Sequence, residues 1–369
     1  MLQSWGVYTR NEQIASGTPA VLMPVDDRAN FFFRRARLGF KGEPQYRIRY
    51  TLVLFYDNLG KDELTGVRGT GNNEAIFGIW DAFVQWKVFA NQDYLNLTAG
   101  YFRPQVSREN LTSAWEVNSF EKAVSQLYVR RHLVERNHGR ASGINLGGLR
   151  LGTNSSWYYN LGVFNTTNTS TDPATIGNSS GIRWSPLWAG RISFSYGDPE
   201  MTQYSVAHEI NYYNQRRGLT WSWYAAHQGA TDLFMRSQII GTDLLFNFDN
   251  LNLDAEINRL YRRYTHGRRQ AYAGHIRGGI NIDLSPKFLL EPAFMWSFFR
   301  SNQVATGNAF TGRDQTWDVG LNFYWQKTRF KTNIHYVWQA GKGNNLYTQQ
   351  NGRQVAKGDY LGLGLQFII

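Results

Sequence analysis

Apolar and polar residues alternate with a period of two along most of this chain. In residues 45–57, Tyr46, Ile48, Tyr50, Leu52 and Leu54 share one face of an extended strand, and Gln45, Arg47, Arg49 and Thr51 take the other. In 78–89, Trp80, Ala82, Val84, Trp86 and Val88 oppose Asp81, Gln85 and Lys87. In 314–327, Trp317, Val319, Leu321, Phe323 and Trp325 oppose Asp318, Asn322 and Gln326. In 329–341, Phe330, Ile334, Tyr336 and Trp338 oppose Arg329, Lys331, Asn333 and His335. The chain closes on Leu361, Leu363, Leu365, Phe367 and Ile369, all on one face. A soluble sandwich also alternates. It does not usually set Trp and Tyr near both ends of so many apolar faces. The pattern predicts a membrane β-barrel, with Trp80, Trp86, Trp317, Trp325 and Trp338 meeting lipid in two bands.

Strand candidates fall at about 2–14, 31–42, 45–57, 78–89, 94–103, 140–152, 157–165, 187–197, 203–214, 219–228, 237–249, 251–263, 271–283, 287–299, 314–327, 329–341 and 359–369. Tight turns are read at Glu43-Pro44, 90–93, 153–156, Asp249-Asn250 and 284–286. Long connections are read at 15–30, 58–77, 104–139, 166–186, 229–236, 264–270, 300–313 and 342–358. Bacterial barrels keep short turns on the periplasmic side and long loops outside. With both termini periplasmic the strand count is even. Counting from each end makes 187–197 descend and 219–228 ascend, so 203–214 becomes part of a long turn and sixteen strands remain. A barrel of that size encloses a water-filled channel. Residues 1–369 then form a single barrel domain.

The third outer connection, 104–139, is the longest and the least strand-like. Ser113-Ala114-Trp115-Glu116 resembles a capping box, and 119–129 reads as a short helix. A long connection rich in aromatic and aliphatic residues is read as functional rather than disordered. It is expected to fold inward and narrow the barrel.

Composition changes the picture in a few respects. The chain carries a formal charge of +11, no cysteine, and 13 Trp, 21 Tyr and 23 Phe in 369 residues. It holds no run of 18 apolar residues, so it has no transmembrane helix. No basic segment followed by an apolar core stands at the N-terminus, so a secretory signal is read as removed or absent. No nucleophile elbow, phosphate-binding glycine loop or helical His pair is present, and the histidines are too scattered for a metal site. No cofactor and no nucleic-acid partner are expected.

The polar faces are charged in an ordered way. Alternation directs Arg35, Arg37, Lys41, Arg47, Arg49 and Lys87 into the lumen from the second to fourth strands. It directs Asp243, Asp254, Glu256, Asp283 and Glu291 inward from the tenth to thirteenth. In a ring of sixteen these groups stand roughly opposite, and a basic wall facing an acidic wall sets a field across the water path. Residues 103–139 add Arg103, Arg108, Lys122, Arg130, Arg131 and Arg136 against Glu109, Glu116, Glu121 and Glu135. Basic groups prevail there, which predicts anion preference. The plainer alternatives are that lumen arginines such as Arg47 and Arg49 only pair with neighbouring carboxylates, and that Arg130 and Arg131 are solvated or meet lipopolysaccharide.

Several segments match a known family in order along the chain. Residues 31–42 (FFFRRARLGFKG) resemble the signature near the start of the phosphate-selective porin O and P family. Residues 100–109 (GYFRPQVSRE) are similar to that family's segment entering its constriction loop. Gly162-Val163-Phe164-Asn165, Ala189-Gly190-Arg191-Ile192, Gly241-Thr242-Asp243-Leu244 and Leu253-Asp254-Ala255-Glu256 also resemble family positions. The resemblance implies a sixteen-stranded outer-membrane porin, often trimeric, with an inward third loop. Two departures stand out. Ile369 replaces the aromatic that often ends such barrels, and the loop is mixed in charge, which weighs against strict phosphate selectivity.

The leading expectation is a passive diffusion porin for small hydrophilic solutes, anion-preferring, with phosphate selectivity left open. Its partners would be outer-membrane lipid, lipopolysaccharide, small anionic solutes and further copies in a homotrimer or larger assembly. The alternative is an accessory barrel with no transport role, its loops 58–77 and 300–313 serving as docking surfaces. A third reading, an outer-membrane hydrolase using His208 and Ser222 near the outer rim, lacks a third group to position them.

Overall fold

The computed structural model describes residues 1–16, 21–68, 76–135, 138–166, 183–301, 312–327, 329–340 and 355–368. Sixteen antiparallel strands close into one barrel. They are β1 (Leu2–Arg10), β2 (Arg28–Gln45), β3 (Ile48–Leu59), β4 (Ile76–Lys87), β5 (Asn96–Phe102), β6 (Ala141–Leu151), β7 (Ser155–Asn165) and β8 (Leu187–Gly197). They continue with β9 (Gly218–Gln228), β10 (Arg236–Phe248), β11 (Leu251–Arg263), β12 (Arg268–Ile280), β13 (Phe288–Ser301), β14 (Gly312–Tyr324), β15 (Phe330–Ala340) and β16 (Asp359–Phe367). Ile282–Ser285 prolongs β12 past Asn281, because both pieces pair with β13. β1 pairs with β16 on one side and β2 on the other, so no edge is left open.

Each strand sorts its side chains between lipid and lumen. In β9, Leu219, Trp221 and Trp223 are exposed outward while Thr220, Ser222 and Tyr224 are buried inward. Trp86, Trp317, Trp325 and Trp338 stand 43–47% exposed on the outer face. Trp80 does not join them. Val53 pairs with Asp81 and Leu54 with Ile79, so Trp80 is the extra residue of a β-bulge and turns into the lumen with Asp81. A bulge of this kind re-aims one side chain and reverses the alternation beyond it. Arg34 is similarly extra relative to β1, since Gln3 pairs with Arg35 and Ser4 with Phe33.

Strand limits differ from the expected ones at two places. The segment 2–14 breaks after Arg10, where Asn11 has φ 58°, and Gln13–Ser16 pairs with Val21–Pro24 and Val355–Ala356 in a small sheet above the barrel. β2 runs past Glu43-Pro44, and the turn falls at Tyr46-Arg47, where Arg47 has φ 74°. Residues 203–214 form no strand.

Residues 104–139 carry two helices, α1 (Arg108–Leu111) and α2 (Ser125–Val134). The N-cap of α1 is Ser107, whose hydroxyl accepts from the Asn110 amide at 3.1 Å, and not Ser113. The expected helix at 119–129 begins only at Ser125. The amides of Phe120, Ala123 and Val124 donate instead to Asp318, Glu109 and Ser297, which holds 120–124 out of helical geometry.

Candidate functional site

The carboxylates of the far wall are spent on holding the interior segments. Arg108 is fully buried; its Nε donates to Asp243 at 2.9 Å and its two Nη atoms to Glu200 at 2.7 and 2.9 Å. Asp243 also receives Arg191 at 2.6 Å. Arg277 bridges Asp254 and Glu109, and His275 lies 2.7 Å from Asp254. Glu256 accepts from the Ser107 hydroxyl and the Glu109 amide. Glu291 accepts from Asn118, Asn322 and Tyr324. Burial opposes ionisation of Glu109, but Arg277 and Lys122 hold its carboxyl below the usual range. Burial likewise opposes Glu200, and Arg108 and His208 hold it well below. A buried carboxylate without such partners would be strongly disfavoured. The acidic wall is therefore a set of compensated anchors rather than one pole of an open field. Asp283 stands apart, exposed at the short-turn end and accepting from Asn214 at 2.7 Å.

The connection 198–217 also enters the lumen, from the short-turn end. Tyr204, His208, Ile210 and Asn211 are buried. Tyr204 donates to Asn160 at 2.6 Å, and Asn247 donates to the Ile210 carbonyl at 2.9 Å. The segment meets 104–139 directly: Thr112 bridges to His208, and Gln105 donates to the Val206 carbonyl. Sequence reasoning read this stretch as a turn. Its length and its buried-type aromatics were the available signal. His208 belongs to this network through Glu200 at 2.6 Å, while Ser222 accepts from Arg191 at 2.8 Å, so the pair builds no hydrolytic dyad.

Together these segments occupy the half of the barrel lined by β6–β12. The other half keeps a cavity of about 570 Å³, bounded by β2–β4, β13–β16 and residues 112–138. On its wall stands a stack. The Arg37 guanidinium carbon lies 3.7 Å from the Trp80 ring centroid and that of Arg140 lies 3.8 Å from it. Asp57 takes two hydrogen bonds from Arg37, and Asp81 takes two from Arg140. Beside the stack, Arg34 and Arg35 share Glu121 at 2.8 and 2.5 Å. Arg103 donates to the carbonyls of Asn110, Leu111 and Thr112 at the end of α1, and Lys122 to those of Glu109 and Thr112.

The cavity wall carries Arg34, Arg35, Arg37, Arg68, Arg103, Lys122, Arg130 and Arg131 against Asp57, Glu121, Glu135 and Asp318, eight cations to four carboxylates. Crowding marks the cations of the loop. Burial first, then Arg140, pulls Arg103 down to about 9. Burial pulls Arg130 well below the usual guanidinium range, with Arg140 and Arg103 adding to it.

Four expected lumen cations do not line this cavity. Arg47 sits in the turn and donates to the Val88 carbonyl at 2.9 Å, because β2 is longer than its sequence pattern suggested. Arg49 is exposed and pairs with Glu43, and Lys87 pairs with Asp93, both at the short-turn end. Lys41 is exposed on the same face of β2 as Arg35 and Arg37, nearer the short-turn end. Arg136 lies outside the described residues, as do parts of 58–77 and 300–313. Arg34, Arg68, Trp80 and Arg140 were not foreseen.

Among the described residues one group has metal-ligand spacing, Glu109, Asp254 and His275, with ligand atoms within 4.8 Å of one another. Arg277 donates to both carboxylates and already supplies the positive charge that an ion would bring.

A family model described as phosphate-selective porin O and P matches residues 15–218. No curated protein sequence matches the chain. Among solved structures, an anion-selective porin from Comamonas acidovorans superposes with a TM-score of 0.57 at 12% identity, covering 99% of this chain and 98% of that one. OmpF of Salmonella typhi, in complex with daunomycin, gives 0.56 at 12% identity, with 99% and 97% covered. OprB of Pseudomonas putida, in a high-pH structure, gives 0.57 at 8% identity, with 99% and 93% covered. At such identities the likeness is one of fold.

Proposed function

The chain belongs to the phosphate-selective porin O and P family, and from that premise we propose that this outer-membrane porin passes small hydrophilic anions by diffusion in preference to cations. The observation that carries the reading is the excess of cations around the cavity inside the barrel, eight against four carboxylates. Such an excess in a narrow, low-dielectric passage concentrates anions. The side chains that bear on it are Arg34, Arg35, Arg37, Arg68, Arg103, Lys122, Arg130 and Arg131, rather than Lys41, Arg47, Arg49 and Lys87. Phosphate enters as one permeant among others. The forks of Arg35 and Arg37 are engaged by Glu121 and Asp57, which leaves less bidentate geometry for an oxyanion.

In this reading the short turns face the periplasm and the long connections the exterior. β5 has seven residues, fewer than the nine to eleven or so that a tilted strand needs to cross the apolar layer. A neighbouring copy covering that low wall, as in a homotrimer, would shield it, and lipid and lipopolysaccharide would meet the rest.

Reversal potential in a salt gradient across a bilayer holding the purified barrel tests the reading. A potential indicating anion current supports it; cation preference overturns it. One observation favours a second reading, an accessory barrel without transport. Nearer the chain ends, a separate pocket between Ala114 and Gln366 holds only about 10 Å³. Absence of any conductance would favour that reading.

A further inference from the structure

The cavity is not lined by charge alone. Phe55 and Trp80 face it from β3 and β4, Val124 and Leu127 from the turn into α2 and from α2 itself, and Met295 and Val337 from β13 and β15. Trp80 is held by the two flanking guanidinium groups, so its rim and the Phe55 ring, 5.1 Å away edge-on, form a fixed aromatic corner. Arg37, Arg103 and Lys122 stand within the same wall.

Resting on the anion-preferring reading above, we propose that this cavity selects organic anions that carry an aromatic or branched aliphatic body over inorganic oxyanions. The volume of about 570 Å³ suits a ligand much larger than a single oxyanion. A hydrated inorganic anion gains from the cations and nothing from the apolar side. A carboxylate on an apolar body gains from both, since its body leaves water against Val124, Leu127, Met295 and Val337 while its oxygens stay near Arg103 and Lys122. A neutral molecule of the same body loses the second contribution. The arrangement thus assigns charge recognition to the loop and β2, and body recognition to α2 with the opposite wall.

The test compares block of chloride current by benzoate, acetate, inorganic phosphate and benzyl alcohol, and isothermal titration of the detergent-solubilised barrel with the same four. Benzoate should half-block at a concentration roughly tenfold below that of acetate or phosphate, and benzyl alcohol should act far more weakly. Leu127→Asn and, separately, Met295→Gln should each cut the benzoate-to-acetate ratio by roughly fivefold. Equal action of benzoate and acetate, or of benzoate and benzyl alcohol, overturns the proposal. So does a ratio indifferent to both substitutions. If the barrel shows anion current but no benzoate preference, this inference alone fails. If it conducts nothing, the transport reading fails, and the titration still decides whether the cavity prefers benzoate.

Discussion

The guanidinium carbon of Arg37 lies 3.7 Å from the centroid of the Trp80 ring, while its Nη2 donates to Asp57 at 2.5 Å. One cation thus serves an aromatic face and a carboxylate inside the barrel. Arg37→Met removes both and leaves Asp57 nearly buried without its partner. The expected loss is about 3–5 kcal/mol. Arg37→Met combined with Asp57→Asn should recover most of it, because no uncompensated charge remains. Urea unfolding in lipid vesicles, followed by tryptophan fluorescence, reads the difference. Equal midpoints for the single and double variants would refute the pairing.

Selectivity should follow position in the structure rather than position in the alternating pattern. Arg35→Ser with Arg37→Ser removes two cavity cations, frees Glu121 and Asp57 of those partners, and should move the reversal potential towards cations. Arg47→Ser should leave it unchanged, since that side chain sits in a turn with the Val88 carbonyl. Higher salt should shrink the first shift, because screening acts within about 8 Å at physiological ionic strength. A shift from Arg47→Ser equal to that of the cavity pair would contradict the assignment.

Much of the barrel was legible because lipid and water impose a period of two on every strand. β14 and β15 show it plainly, and turn parity alone removed 203–214 from the strand count. Trp80 was not legible. Its inward turn depends on one extra residue against β3, a register set by the partner strand and absent from the local pattern. Arg47 was misplaced because a turn shifted by two or three residues moves a side chain out of the wall. The inward acids Asp243, Asp254, Glu256 and Glu291 were legible, but not their role. Asp243, Glu256 and Glu291 meet Arg108, Ser107 with the Glu109 amide, and Asn118, all more than a hundred residues away in sequence, while Asp254 reaches the loop only through Arg277; only the folded chain shows these meetings.

Glu116 sets a pH dependence. Burial first, and then repulsion from Glu209, push its carboxyl up to about 7, with Lys331 opposing. It adjoins Ala114 and Val117, which line the small pocket near Gln366. A raised carboxyl binds its proton more tightly folded than unfolded. Its stabilising contribution is full below the ordinary carboxyl range and is lost as pH rises through about 7. The same step adds a negative charge to the loop that narrows the barrel, so anion current should fall between pH 6 and 8 or thereabouts. Glu116→Gln should flatten that step. Bilayer conductance across this range gives the answer, and a step that persists in the variant assigns the titration to another group.

Arg108 ties together the two segments that enter the barrel from opposite ends, through Asp243 on the wall and Glu200 at the start of 198–217. Arg108→Met keeps the volume of the stem but removes five potential donors. Asp243 retains Arg191, whereas Glu200 is left with His208 alone. The loss falls on the inner segment, with a local cost of about 3–5 kcal/mol for the stranded carboxylate. The remaining ties, among them Tyr204 to Asn160, the paired amides of Asn211 and Asn281, Gln105 to Val206 and Asn247 to Ile210, are neutral hydrogen bonds worth roughly 1 kcal/mol each. They keep the segment on the wall, but the stranded charge weakens its hold, so 198–217 should leave the lumen more often than in the parent while the sixteen strands stay closed. Two measurements follow. Trypsin added at the short-turn side should cut at Arg216 or Arg217 faster than in the parent, and single-channel conductance should rise with added open-state noise. Arg108→Met with Glu200→Gln should reverse part of both effects by removing the stranded charge. A variant that conducts and resists trypsin like the parent would show that the wall contacts alone hold the segment in place.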